Sequence, residues 1–145
     1  MTSSAIHASG ALFQVGDGGG TEVFTTVAEV KNIDGPNMSM DILDVTAHQT
    51  SGYWRQKIAG HHNPGQITLD LNFVPAGATH KNAAGGLLYL FNNRTRNNFK
   101  LVFPDVGATT WSFAGFVTGF KPGANTAEAL TASVTIELTD APTLV

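Results

Sequence analysis

The sequence contains no cysteine, which removes disulfides, thiol nucleophiles, iron–sulfur clusters and Cys-based zinc sites from consideration. It is also poor in charge: Asp, Glu, Lys and Arg make up 13% of its 145 residues, roughly half of the ~25% usual in a soluble domain. Basic excess is missing as well. Eleven acids stand against eight bases, a net charge of −3, so the chain lacks the basic face with which proteins grip phosphates. No stretch approaches the roughly 18 consecutive apolar residues of a membrane span. Met1 to His7 has no basic segment followed by an apolar run, so no secretory signal is read there. What remains is an apolar content of 42%, enough for a core, in a length that suits one domain. With so few charges, the exterior is either built from Ser, Thr, Asn and Gly or hidden against partners.

Strand chemistry dominates the rest. Residues 1–10 are small and polar and read as a flexible arm. Residues 11–15 form a candidate strand, closed by Gly16-Asp17-Gly18-Gly19-Gly20. Val23 to Ile33 is β-branched and aromatic, and Gly35-Pro36 turns the chain. Met38 to Ile42 alternates apolar and polar, the pattern of a half-buried strand. Alternation is cleanest over 66–73, where Ile67, Leu69, Leu71 and Phe73 oppose Gln66, Thr68, Asp70 and Asn72. It recurs over 129–138, where Leu130, Ala132, Val134, Ile136 and Leu138 oppose Thr131, Ser133, Thr135 and Glu137. A slip of one residue inverts both faces, so register there is strongly specified. Phe99, Leu101 and Phe103 mark a shorter strand. Thr110 to Phe120 breaks its parity: Trp111, Phe113 and Val117 share a face that Phe116 and Phe120 do not. Either a bulge near Gly115 or burial on both faces accounts for this. One helix is expected, capped by Thr79 and carrying Ala83, Ala84, Leu87, Leu88, Leu90 and Phe91. Gly85-Gly86 predicts that it begins only near Gly86 or is kinked there.

Residues 46–65 lack clean periodicity and are expected to form one long loop, a feature that in compact domains is usually functional or disordered. Tyr53-Trp54-Arg55 within it are the residue types that dominate interface hot spots, which favours a contact surface over a plug folded onto the core through Trp54 and Ile58. His61-His62, with His48 or Asp44, invite a metal reading. Neighbours in an extended chain point to opposite sides, so solvated or interface histidines are expected instead. Asp34, Asp41 and Asp44 lack the pattern of a calcium loop. The glycine run is followed by Thr21-Glu22 rather than Lys-Ser/Thr, which excludes a phosphate loop. No Gly-x-Ser-x-Gly elbow is present, and Glu29, Asp70 and Glu137 fall on polar strand faces. No cofactor, metal or catalytic constellation is expected.

The run Phe24-Thr25-Thr26-Val27-Ala28-Glu29-Val30-Lys31-Asn32-Ile33-Asp34-Gly35-Pro36 and the following Met38 to Thr46 resemble the tail tube (major tail) proteins of long-tailed bacteriophages. So do Gly52 to Gly60, Gln66 to Pro75, Phe99 to Asp105, Thr110 to Pro122 and Leu130 to Leu138, in the same order. The resemblance covers roughly residues 11–145. It implies a mainly β subunit, an antiparallel β-sandwich or barrel-like fold with one α-helix, in a single domain with a C-terminal tail over 139–145. It further implies a structural virion protein and not an enzyme. Copies would close into hexameric rings by pairing four strands each into one continuous inner β-barrel, and rings would stack into a hollow tube. The chain's end at Val145 implies that the immunoglobulin-like domain of some relatives is missing.

The implied partners are further copies, a tape-measure protein, tail terminator and baseplate or distal tail proteins, and passing double-stranded DNA held without specific binding. Assembly would take place in the host bacterial cytoplasm, with no membrane involved. Within this picture Tyr53, Trp54, Arg55, Lys57 and Ile58 are the expected contacts between subunits and rings. Gln66, Thr68, Asp70, Asn72, Thr131, Ser133, Thr135, Glu137, Ser39 and Asp41 are candidates for the lumen, with an ordinary solvated face as the alternative for each. Two other readings compete. One is the tube of a contractile injection or type VI secretion machine. The other is a monomeric β-sandwich that binds a carbohydrate or other small ligand on Tyr53, Trp54 and Trp111; a hydrolase using His61 or His62 stands behind both.

Overall fold

A computed structural model describes residues 2–145. Ten strands and one short helix follow in order: β1 (Leu12–Gly16), β2 (Phe24–Thr26), β3 (Val30–Asp34), β4 (Ser39–Asp44), β5 (Lys57–Asn63), β6 (Gln66–Asn72), α1 (Leu87–Asn92), β7 (Asn97–Val102), β8 (Thr110–Gly123), β9 (Thr131–Leu138) and β10 (Thr143–Leu144). Eight strands form one antiparallel sheet in the order β2-β1-β7-β8-β9-β6-β3, with β10 added beside β8; β4 and β5 make a separate two-stranded hairpin. The large sheet curls until β1 approaches β3, wrapping its apolar face around one core.

The alternation in β6 and β9 dictates that core. Ile67, Leu69 and Leu71 pair in register with Ile136, Val134 and Ala132, and all six are buried. On the other half of the sheet, the rings of Phe13, Phe99 and Phe113 lie 5.6–6.0 Å apart, within the range of favourable aromatic contact. Truncating a fully buried member such as Leu69 to Ala removes transfer energy and leaves a cavity, at about 2–5 kcal/mol. Leu87 and Leu90 of α1 close the core alongside β8.

The parity break in β8 is a bulge, placed at Thr118 rather than at Gly115. Val117 pairs with Ile136 and Gly119 with Thr135, so Thr118 stands outside the ladder. Beyond it Phe120 pairs with Val134 and rejoins the core, while Phe116 stays on the outer face opposite Glu137. Gly115 serves another purpose: a Cβ there would lie 2.3 Å from the Glu137 carbonyl oxygen.

Several expectations require correction. The helix starts at Leu87, with Gly86 in the capping position, so the glycine pair does delay it; Thr79 does not cap it. Thr79 and His80 are instead buried, and they anchor the chain to the turn before β3. The Ala28 N–H donates to Thr79 Oγ1 (3.1 Å), the Val74 N–H donates to His80 Nδ1 (3.1 Å), and His80 Nε2–H donates to the Ala28 carbonyl (2.8 Å). Val23 to Ile33 divides into β2 and β3 around this turn, where Glu29 adopts φ 62°. Residues 46–65 are not one loop: they contain β5, which pairs with β4. Met38 to Ile42 is not half-buried, because both faces of β4 are open to solvent. The tail 139–145 contains β10, which pairs Thr143 with Ser112 and Leu144 with Trp111. Position 1 of the expected arm lies outside the described residues; 2–10 are exposed and hold no strand or helix.

Candidate functional site

Strands β3, β6, β9 and the second half of β8 form a four-stranded antiparallel unit within the larger sheet. Their core-facing residues are apolar, which forces the intervening polar positions onto the opposite face. There Gln66, Thr68, Asp70 and Asn72 lie directly across from Glu137, Thr135, Ser133 and Thr131. All eight candidates on these two strands therefore share one surface. Two neighbours extend it: Asn32 and Asp34 of β3 pair with Asp70 and Thr68, and Lys121 and Gly119 of β8 pair with Ser133 and Thr135. Sequence reasoning missed these flanking residues because each strand carries a bulge that resets its parity, Lys31 in β3 and Thr118 in β8. Ser39 and Asp41 lie elsewhere, on β4 of the hairpin.

Neither outer edge of this unit is paired with a further strand among the described residues, and Ala8 to Ala11 lie beside the β3 edge across a cleft. Strand β3 pairs only with β6, and β7 covers β8 only as far as Gly115, leaving Phe116 to Gly123 paired on one side. Unpaired edges are templates for further strand addition, which proteins blunt with bulges and lysines. Each edge here carries a bulge, and Lys31 sits at one of them.

The hairpin leaves the sheet between β3 and β6 and packs essentially on itself. At its base a Cβ on Gly65, at φ 76°, would fall 1.9 Å from the Asn37 carbonyl oxygen, so this close crossing requires glycine. Near its tip, the short 3-10 turn Ser51–Tyr53 sets Gly52 and Tyr53 at φ 76° and 60°. A left-handed tyrosine is a strained conformation, worth on the order of 1–3 kcal/mol. Tyr53 is fully exposed and Trp54 is 80% exposed, which excludes the plug alternative in this subunit. Arg55 is fixed by its side chain: Nη1 donates to Asp44 Oδ2 at 2.9 Å. The Thr46 hydroxyl and N–H, and then Arg55, lower the Asp44 carboxyl to about 2. Lys57 pairs across from Asp44 and Ile58 across from Leu43, so these two expected contacts lie on opposite faces of the hairpin, just below the Tyr53-Trp54-Arg55 tip.

The remaining chemistry is sparse. Among the described residues no group of three His, Asp or Glu side chains could hold a metal, and adjacent His61 and His62 are both exposed on β5. Trp111 is part-buried near Phe103, Pro104 and Leu144, lining a cleft of about 410 Å³, and forms no platform with Tyr53 and Trp54. Asp105 is held below the usual carboxylate range by the Thr109 hydroxyl and N–H, which makes it the anchor of the β7–β8 turn.

Two sheet edges without a further strand partner and a projecting hairpin with exposed aliphatic side chains are features of a subunit that associates with others. The comparisons agree. The family model described as the lambda phage tail tube protein matches residues 16–145, and the chain belongs to that family. No curated protein matches the sequence. The fold is similar to a subunit in the tail of an empty gene transfer agent particle, reconstructed with C6 symmetry (18% identity, TM-score 0.73, 97% of this chain and 99% of that one). It is also similar to a subunit in the virion of a native gene transfer agent particle (16% identity, TM-score 0.72, 97% and 99%). A further likeness is to a chain in the extended sheath–tube complex of an extracellular contractile injection system (14% identity, TM-score 0.71, 98% and 92%). The protein is thus a structural tail tube component of phage-like particles and not an enzyme.

Proposed function

We propose that six copies close into a ring by pairing the free edge of β3 in one subunit with the free edge of β8 in the next. The observation that carries this is the pair of edges without a further strand partner on either side of the four-stranded unit. Because the unit is antiparallel and has an even number of strands, β3 and β8 run in opposite directions. A simple rotation about a central axis therefore makes every junction antiparallel too, and the sheet closes without an edge. The six-fold symmetry of the gene transfer agent tail supports the copy number, so that four strands from each of six copies make a 24-stranded barrel. Bulges at both edges disfavour indiscriminate pairing of free subunits, which suits a polymer that must start at one place.

In this arrangement the polar face of β3, β6, β9 and β8 lines the lumen. It carries the carboxylates of Asp34, Asp70 and Glu137, with Glu29 bonded to Asn72 at its margin, against the amines of Lys121 and Lys31. Such a surface offers phosphates no grip, so DNA passes through to the host without being held. Rings stack through the hairpin, with Tyr53, Trp54, Arg55, Lys57 and Ile58 at the contact. The tube forms around a tape-measure protein in the host bacterial cytoplasm and is bounded by terminator and baseplate proteins. Neighbours in contractile machines support the same tube physics inside a sheath as a second setting.

Proline at the bulge residues tests ring closure, since an edge bulge tolerates proline within a subunit while blocking an incoming strand. Thr118→Pro and Lys31→Pro should each melt close to the parent yet sediment as monomers, with no rings in negative stain. Normal rings from both variants would refute edge pairing.

A further inference from the structure

A hairpin that docks on a single surface needs one apolar face and one polar face, as β6 illustrates with its buried Ile67, Leu69 and Leu71 alternating with polar residues. The β4–β5 hairpin breaks that rule. Residues opposite each other share a face, and the register gives Met40, Ile42 and Ala59 to one side and Leu43, Val45 and Ile58 to the other. The same register puts the Asp44–Lys57 pair on the first side toward the tip and Ser39 and Asp41 on the second side toward the base, so the first side is apolar near the base and the second near the tip. Ile42 is 52% exposed on the first face; Leu43 and Ile58 are 51% and 52% exposed on the second. At its base Met38, Ser39, His62 and Asn63 share a cleft with Thr139 to Pro142, and beyond it the aliphatic side chains of both faces are exposed among the described residues. A two-stranded hairpin is marginal in water by itself, and here it places aliphatic side chains into solvent on both sides.

We infer that the hairpin is a wedge that inserts between two other copies at once, one covering Met40 and Ile42, the other covering Leu43, Val45 and Ile58. The inference rests on the tube reading and adds that each arm joins three chains. Membership of a tail tube family makes further copies the occupant. Charge agrees: Arg55 and Lys57 balance Asp41 and Asp44, so the wedge is neutral and the whole −3 sits on the remainder of the chain. A neutral arm enters between two acidic bodies without repulsion. Area agrees as well. Tyr53 and Trp54 together offer on the order of 400 Å², at about 150–250 Å² per aromatic side chain. With the half-exposed aliphatics the hairpin approaches the ~800 Å² that one partner contributes to a standard interface. Split over two faces, this yields two weak contacts that reinforce each other. An arm of this kind holds only where two neighbours are already in place, at the end of a growing tube, and not between two free subunits.

The absence of cysteine makes the test clean, because Ile42→Cys and Leu43→Cys are adjacent positions on opposite faces. In assembled tubes both thiols should lose reactivity toward a bulky maleimide that labels them freely in monomers. The double variant Ile42→Cys/Leu43→Cys, carrying a thiol-linked photoreactive cross-linker and sparsely doped into wild-type tubes, should give covalent species of three chains. Cross-links from the two faces should map to different surfaces of the acceptor chains. Tubes in which one thiol stays reactive, or in which doping gives two-chain species alone, overturn the wedge and leave the tube reading standing. Should the thiol variants fail to assemble, hydroxyl-radical footprinting of wild-type tubes reads the same faces through Met40 and through Leu43 with Ile58. Protection of both sets supports the wedge; labelling of either set refutes it. Failure of the wild-type chain to form any ring or tube would instead refute the reading on which the wedge depends.

Discussion

Trp54→Ala separates assembly from folding more sharply than any other single change. The indole is 80% exposed in the subunit, so its removal leaves no cavity and should change monomer stability by less than about 0.5 kcal/mol. A tryptophan buries about 150–250 Å² when fully covered. Four-fifths of that, roughly 120–200 Å², is available to a partner, which at ~25 cal/mol/Å² amounts to about 3–5 kcal/mol per contact. Even at the hot-spot threshold of ~2 kcal/mol, a ring of six copies would lose six contacts together. The sum is about 12 kcal/mol for each ring-on-ring junction, eight or more powers of ten in the association constant at 1.4 kcal/mol per decade. The variant should therefore melt like the parent and still close rings through its β3 and β8 edges, but fail to stack. Thermal melts, sedimentation velocity and negative-stain microscopy measure the three properties on one preparation. Tubes of parental length at parental concentration would refute the role of Trp54. A large loss of monomer stability would refute its exposure.

His80→Ala should cost about 2–5 kcal/mol, because it orphans the Val74 N–H and the Ala28 carbonyl in a buried site; a urea melt with unchanged stability would contradict this. Asp44 has its carboxyl lowered from 3.8 to about 2, so the hairpin-tip contacts it makes with Thr46 and Arg55 are fully present above about pH 4. They are lost as pH falls through about 2, the direction expected of a depressed carboxylate; the Thr46 amide resonance, followed from pH 6 to pH 2, should shift only in the lower part of that range. Thr68→Lys and Thr135→Lys place adjacent amines on the polar sheet face. Tubes should form normally while DNA delivery falls, and unimpaired infectivity would remove that face from the lumen.

Period-two alternation made β6 and β9 legible from sequence, down to which residues reach the core. One-sided burial permits a single register, and Ile67 to Leu71 against Ile136 to Ala132 obey it. The delayed start of α1 was legible too, through Gly85-Gly86, and so was the exposure of Tyr53 and Trp54 through their residue types. The rest depended on pairings invisible to local pattern. Residues 57–63 have no periodic signal because β5 buries neither face, so its strand state rests on hydrogen bonds to β4 alone. The bulges at Thr118 and Lys31 hid which side chains of the outer strands join the polar face, since a bulge can be located only against its partner strand. Thr79 looks like a cap in sequence and is a buried ligand for a backbone N–H 51 residues away.

By itself, then, the sequence determined which residues had to leave water, because that follows from side-chain chemistry and the two-residue repeat of a strand. Only the tertiary structure decided which strands were left without neighbours, because an open edge is a property of the whole sheet's order. That order leaves β3 and the end of β8 each without a strand partner along one edge, and aliphatic side chains of the hairpin exposed on both its faces.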